Sequence, residues 1–125
     1  MKITNVLSIL LITGMIFVAA CSGADKEVKK DAVVIADAMC RNIEIMNKLR
    51  TASPADSELI TKLQEDAHKL QIEMTILYKE FEEKYKEEVK NEKFSKEFSE
   101  ELRKAMLPCP YLSKEDREKF EKEIE

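Results

Sequence analysis

The sequence predicts an all-α protein, an antiparallel helical hairpin followed by one or two further C-terminal helices that complete a small bundle. Three observations support this. No glycine occurs after Gly23. From residue 26 onward, Lys, Glu, Leu, Met and Ala are abundant, and these residues favour helix. Apolar residues recur there at intervals of three and four. The segment without glycine also lacks phosphate-cradling loops and easy tight hairpins.

The first predicted helix runs from about Lys26 to Arg50, with its apolar residues on one face. They are Ala32, Ile35, Ala36, Met39, Cys40, Ile43, Met46 and Leu49. In the segment that follows, Ser53 can cap a helix and Pro54 suits the first helical position. Asp56 suits the positively polarised first turn. We therefore expect the chain to reverse between residues 51 and 56.

The second predicted helix has an apolar stripe whose spacing alternates three and four over three heptads. It consists of Ile60, Leu63, Ala67, Leu70, Met74, Leu77 and Phe81. This is the spacing of a helix that packs lengthwise against a neighbour. The short connection predicts that the neighbour is the first helix, antiparallel to it. The stripe becomes polar after Phe81, and a bend is expected near Asn91.

A third predicted helix is marked by apolar residues four positions apart. They are Phe94, Phe98, Leu102 and Met106. This helix should run from about Ser95 to Leu107 and end at the proline that follows. Three residues after Ser113, Asp116 completes a pattern that resembles a capping box. It predicts a last short helix with Phe120 and Ile124 facing inward.

The aromatic residues of the predicted domain concentrate in its second half. They are Tyr78, Phe81, Tyr85, Phe94, Phe98, Tyr111 and Phe120. Aromatic side chains at helical spacing more often pack in a core than bind a ligand. We therefore expect them between the second helix and the helices that return along it.

The first 20 residues have the order of an export signal: a short polar start, an apolar run from Val6 to Val18, and two alanines. The run is shorter than the ~20 apolar residues of a membrane-spanning helix. Val18-Ala19-Ala20-Cys21 resembles the lipobox of bacterial lipoproteins. The resemblance implies cleavage before Cys21, diacylglycerol on its sulfur and usually an acyl chain on its new amine. The alternative is ordinary signal cleavage after Ala20, which would leave Cys21 as a free thiol.

The lipobox resemblance divides the chain into a signal peptide (1–20), a lipidated cysteine with a short tether (21–25) and one helical domain (26–125). Two or three acyl chains hold a protein durably on a membrane. We therefore expect a protein of the bacterial cell envelope, anchored through Cys21. Ser22 follows the cysteine. In the enterobacterial sorting pattern that this resembles, aspartate there retains a lipoprotein in the inner membrane and serine does not, which favours the outer membrane.

Lipidation of Cys21 would leave Cys40 and Cys109, and two thiols in an oxidising compartment are expected to form a disulfide. The predicted helix lengths leave a gap of about 13 Å between them. Pairing therefore requires the second turn to come before Asn91, or the first helix to shift. The alternatives are unpaired thiols, with Cys40 as a small buried apolar residue. We expect the disulfide and the early turn.

Charge and residue chemistry limit the possible functions. Residues 21–125 contain 20 basic and 25 acidic side chains, and their net charge of −5 argues against nucleic-acid binding. His68 is the only histidine. With Glu65 it matches half of a carboxylate-bridged di-iron pattern, which one chain could complete only as a homodimer. We interpret His68 as a solvated residue, and expect no catalytic, cofactor or metal site.

These observations favour a lipid-anchored, non-catalytic helical module that binds a protein or a cell-wall partner in the envelope. One alternative is a structural spacer similar to the major peptidoglycan-linked lipoprotein. That resemblance would require a terminal lysine for covalent attachment, where this sequence has Glu125. The other alternative is a metal-dependent enzyme that uses Glu65 and His68 in a homodimer.

Overall fold

The described part of the chain is built from α-helices. The computed structural model describes the backbone of residues 2–124 and the side chains of residues 26–124. The elements are α1 (Lys2–Thr51), α2 (Ser57–Lys84), a 3₁₀ turn (Glu88–Lys90), α3 (Glu92–Met106) and α4 (Lys114–Ile124). Within residues 2–124 there is no strand, and the predicted all-α class is confirmed.

The N-terminal predictions lie largely outside the described side chains. The signal peptide, Cys21 and the tether all precede residue 26, so the proposed division of the chain stays a prediction. α1 begins at Lys2, whereas the sequence prediction began it near Lys26. Its end at Thr51 is one residue from the predicted one. Among residues 26–124, no helix is long and apolar enough to cross a membrane.

α1 and α2 form the predicted antiparallel hairpin. Two cross-helix ion pairs define the register, Arg41 with Glu73 (2.6 Å) and Asp31 with Lys84 (2.7 Å). Residue numbers therefore increase along α1 in the direction in which they decrease along α2. We call the end at residues 52–56 the upper end of the hairpin, and the end at the Asp31–Lys84 pair its lower end.

The reversal at the upper end lies where the sequence predicted it but is built differently. The amide of Asp56 donates to the carbonyl of Ser53 (2.9 Å), which closes a tight turn around Pro54. The carboxylate of Asp56 caps α2 by accepting from the amide of Leu59 (3.2 Å). The predicted roles of Ser53 as cap and Pro54 as first helical residue are wrong. The fixed φ of proline suits the second position of a turn as well as it suits a helix start.

α3 follows an early turn. α2 ends at Lys84, before Asn91, as the predicted disulfide required. Asn91 is the N-cap of α3, and its side chain accepts a hydrogen bond from the amide of Lys93 (2.9 Å). α3 therefore begins three residues before the predicted start at Ser95, because the capping side chain precedes the apolar pattern. From there α3 runs upward beside α1.

Four aromatic side chains form the lower core between α2 and α3. They are Phe81, Tyr85, Phe94 and Phe98. The closest ring centroids, those of Phe81 and Phe98, lie 4.2 Å apart. Tyr78 and Tyr111, which were also predicted in the core, are 40% and 39% exposed. The prediction is wrong for these two because Tyr78 lies above the aromatic contacts with α3 and Tyr111 lies in the connection before α4.

A second apolar cluster surrounds the two cysteines. The Cys40 and Cys109 sulfur atoms lie 2.00 Å apart, at the distance of a disulfide bond, as predicted. The cluster has a buried centre of Ala36, Met106, Cys109 and Leu112, with Met39, Cys40, Ile43, Leu102, Ala105 and Phe120 packed against it. The early end of α2 removes the gap that the predicted helix lengths had left.

α4 folds back along α3. The Ser113 hydroxyl accepts from the Asp116 amide (3.1 Å) and donates to the Asp116 carboxylate (2.6 Å), so the predicted cap is present. The Arg117 guanidinium donates to two carbonyls of the preceding connection. Arg103 of α3 pairs with Glu123 near the end of α4 (2.8 Å), which shows that the two helices are antiparallel.

Removal of the disulfide should lower stability and leave most of the helix content intact. The bond closes a loop over 69 positions, which on the chain-entropy model stabilises a protein by about 4 kcal/mol. Urea unfolding of a Cys40→Ala, Cys109→Ala variant, followed by circular dichroism, measures this difference. The unreduced wild type should be two hydrogen atoms lighter than the reduced protein. Alkylatable Cys40 and Cys109 in protein isolated from the envelope would contradict the pairing.

Candidate functional site

One face of the hairpin carries two columns of residues at heptad spacing, formed by α2 and by Tyr85 directly after it. The columns are Ala67–Met74–Phe81 and Gln71–Tyr78–Tyr85. At the lower end, Phe81 and Tyr85 contact the aromatic residues of α3. The same columns continue upward beyond these contacts. The face that α3 covers at the lower end therefore continues toward the upper end.

α1 contributes a matching column of three residues seven positions apart. Ala32 is buried and Met39 packs on the disulfide cluster, but Met46 is 54% exposed. Met46 belongs to the predicted apolar face but is not covered, because the disulfide cluster extends along α1 only to Ile43. Above that level, no described residue of α3 or α4 lines this face.

The uncovered part of the face is a groove of about 510 Å³ between α1 and α2. Its described lining consists of Asn42, Met46, Leu49, Gln64, Ala67, His68, Gln71, Met74, Thr75 and Tyr78. None of these ten described residues is Asp, Glu, Lys or Arg, although such residues make up 37% of the chain. We call this surface the uncharged groove.

The opposite side of the same hairpin has the reverse character. A groove of about 310 Å³ is lined there by nine residues, of which six are charged. The charged ones are Arg41, Glu44, Lys48, Asp66, Lys69 and Glu73. We call this surface the charged groove. Along its upper half, the hairpin therefore has charged residues in the groove on one side and uncharged residues in the groove on the other side.

Several charges of the charged groove are paired within the chain. Both terminal nitrogens of Arg41 donate to Glu73 (2.6 and 3.1 Å), and its Nε donates to Asp37 (3.1 Å). The bond to Glu73 raises the pKa of Arg41, and the guanidinium lowers the pKa of Glu73. The ammonium of Lys48, 2.6 Å from Glu44, lowers the pKa of that carboxyl. These pairs keep the face ionised and hydrated.

The uncharged groove has the composition of a binding surface. Protein interfaces are depleted of charge at their centres and enriched in Met and Tyr. Met46 and Tyr78 present apolar area here, while Gln64 and Gln71 can each donate and accept hydrogen bonds. Binding of an apolar surface requires no ion to be desolvated, a cost that the charged groove would impose.

Glu65 and His68, the half-match to a di-iron pattern that the sequence analysis discounted, do not form a metal cluster within residues 26–124. Glu65 and His68 are both exposed on α2, and His68 lines the uncharged groove whereas Glu65 does not. In residues 26–124, no group of three or more His, Cys, Asp or Glu side chains could hold a metal ion. A metal site shared by two copies stays a hypothesis from the sequence, as does lipidation of Cys21, which precedes the described side chains.

The sequence analysis missed the groove, although a signal for it was present. Gln64 and Gln71 are the only glutamines of the chain, they stand one heptad apart, and the only histidine lies between them. Exposed positions elsewhere on α2 are largely Lys and Glu. Uncharged polar residues three and four positions apart, on one side of an otherwise charged helix, therefore indicate the groove.

A second polar constellation lies at the lower end of the hairpin. The Asp31 carboxylate accepts hydrogen bonds from the Tyr85 hydroxyl (2.8 Å) and from the Lys84 ammonium (2.7 Å). Burial of Tyr85 and its bond to Asp31 raise the pKa of the phenol to about 12. The bond to Asp31 also raises the pKa of Lys84. Since each group has its partner, we interpret this network as a clamp between α1 and α2.

No protein-family model, no curated protein and no solved structure matches this chain.

Burial of Tyr85 and its bond to Asp31 should make stability fall at alkaline pH. Between about pH 10 and 12 the unfolded state loses the phenol proton that the folded state retains, so the free energy of unfolding decreases as pH rises. By pH 11.5 the wild type should lose about 2 kcal/mol more than Tyr85→Phe does. Urea unfolding of both proteins at pH 9 to 11.5 measures this. Parallel pH profiles would contradict the assignment.

Proposed function

We propose that this protein is a lipid-anchored component of the bacterial envelope that acts as a non-catalytic helical interaction module. Its binding surface is the uncharged groove. The observation that carries the proposal is the separation of charge on the hairpin. Six of the nine residues of one groove are charged, while none of the ten described residues of the other is.

The envelope location is supported by two independent features of the cysteines. Cys21 directly follows a segment that has the order of an export signal, and with the three residues before it Cys21 forms a sequence that resembles a lipobox. Cys40 and Cys109 lie at disulfide distance, and structural disulfides persist in oxidising compartments such as the bacterial periplasm. An export signal and a structural disulfide are expected together in an envelope protein.

The binding role is supported by the shape and content of the groove. It is a trough between two helices, a shape that accepts a helix or the face of a helical pair. Its apolar side chains, chiefly Met46, Leu49, Met74 and Tyr78, are already partly buried, so complete burial by a partner would add on the order of 1 kcal/mol each. The amides of Asn42, Gln64 and Gln71 would set orientation through hydrogen bonds.

Replacement of Cys21 by Ser should abolish fatty-acid labelling of the protein and leave it uncleaved or released in soluble form. Metabolic labelling with a radioactive or clickable fatty acid measures this. The Cys40→Ala, Cys109→Ala variant is the matched control, because it lacks the other two cysteines and should retain the label. Undiminished labelling of Cys21→Ser would disprove the anchor.

Occupancy of the groove should be detectable by hydroxyl-radical footprinting in intact envelopes. Tyr78 and Tyr111 are a matched pair, because they are 40% and 39% exposed and only Tyr78 lines the groove. Tyr78 and Met46 should be oxidised several-fold less in the envelope than in dilute purified protein. Tyr111 should be oxidised equally in both. Equal oxidation of Tyr78 in the two states would show that nothing covers the groove.

A further inference from the structure

We infer that the lower end of the hairpin rests on the headgroups of anionic lipids, so that the hairpin stands upright and holds the uncharged groove away from the membrane. The inference rests on the proposed function, in which Cys21 carries the lipid anchor. It adds a second binding surface and the chemistry of its partner. Three observations support it: the distance from Cys21 to the lower end, the level of the turn between α2 and α3, and the distribution of charge.

The lower end lies close to the residue that would carry the lipid. The backbone of α1 is helical from Lys2 to Thr51, so it is unbroken between Cys21 and Lys26. Five residues rise about 8 Å along a helix. This rise is about one Debye length at physiological ionic strength. Charges at the lower end would therefore be only partly screened from headgroups at the level of Cys21.

The chain reverses between α2 and α3 at the same level. Val28 and Lys29 of α1 line a groove of about 300 Å³ together with Glu88 of the 3₁₀ turn and Phe94 of α3. The turn after α2 therefore lies beside the first described side chains of α1, and α3 runs upward from it. The lower end is thus a shared end of three helices, on the side of the molecule where α1 leads to Cys21.

The lower end differs in net charge from the remainder of the chain. We call residues 25–31 and 84–93 the base. The base holds seven basic and six acidic side chains, a net charge of +1, whereas the other residues of 21–125 hold 13 and 19, a net charge of −6. Four exposed lysines of the base form no ion pair with a described carboxylate. They are Lys26, Lys29, Lys30 and Lys86. Anionic lipids attract lysines held close to a membrane and repel a net negative surface, which favours the base over the sides of the bundle.

The upright position determines what can reach the uncharged groove. Asn42 and Leu49 line this groove and belong to the same helix as Cys21. At 1.5 Å per residue they lie about 32 and 42 Å beyond Cys21 along the helix axis. Each of these distances is several Debye lengths. The groove is therefore held clear of the headgroups, and its occupant should come from the space beyond the membrane surface.

Fluorescence quenching by lipids that carry a nitroxide on the headgroup tests this inference. The lipidated protein is purified from cell membranes and placed in vesicles of phosphatidylcholine and phosphatidylglycerol in a four-to-one ratio. A fluorescent noncanonical amino acid replaces Lys86 in the base or Lys62 near the upper end, both of which are exposed. Quenching at position 86 should exceed quenching at position 62 at least about threefold, because only the base contacts the headgroups.

Two pairs of exposed lysines supply the matched disruption, read out at position 86. Lys26→Glu with Lys30→Glu changes the base, and Lys62→Glu with Lys79→Glu changes the total charge equally outside it. The base variant should reduce quenching at least about twofold, because its base has a negative net charge that anionic lipids repel. The control variant should leave quenching unchanged. In vesicles of phosphatidylcholine alone, the two variants should behave alike.

The outcomes separate this inference from the proposed function. A purified protein without acyl chains, as shown by its mass, would contradict the anchor and with it this inference. In acylated protein, equal quenching at positions 62 and 86 would overturn the upright position and leave the anchor in place. Undiminished quenching in the base variant, or an equal loss in both double variants, would overturn the contact between the base and anionic lipids.

Discussion

α3 ends before Pro108, and the link between Cys40 and Cys109 fixes the level along α1 at which that end lies. It holds the connection after α3 against the middle of α1, and the buried residues Ala36, Met106 and Leu112 close around it. α3 therefore covers the lower part of the hairpin face. The upper part, from Met46 of α1 to Gln64 of α2, has no described neighbour from α3 or α4. The open groove is thus a direct consequence of the position of this covalent link.

The upper half of the hairpin is held together mainly by apolar burial. Leu63 and Leu70, one heptad apart, are buried there. The ion pairs of the charged groove are exposed, and exposed pairs contribute between about 0 and 1 kcal/mol each. Their more important effect is on where the charged side chains lie on the surface. With Arg41, Glu73 and their neighbours on one side, the hairpin keeps its hydrated ions away from the face that remains open.

The lower end has a different organisation, because three helices meet there. The rings of Phe81 and Phe98 pack closely, and aromatic pairs contribute about 0.5–1.5 kcal/mol beyond area burial. Tyr85 joins this cluster and also bonds Asp31 of α1, so one side chain connects the aromatic core to the Asp31–Lys84 ion pair.

The sequence by itself determined the all-α class, the hairpin, the positions of α3 and α4 and the pairing partners of the cysteines. These follow from local rules: apolar spacing, capping residues and cysteine parity. It did not determine which parts of the apolar stripes are covered. Met46 and Tyr78 have the same spacing as the buried residues Ala32 and Tyr85. Only the tertiary structure decided their exposure. Burial depends on how far a neighbouring helix extends, and the Cys40–Cys109 link holds the end of α3 below the upper end of the stripe.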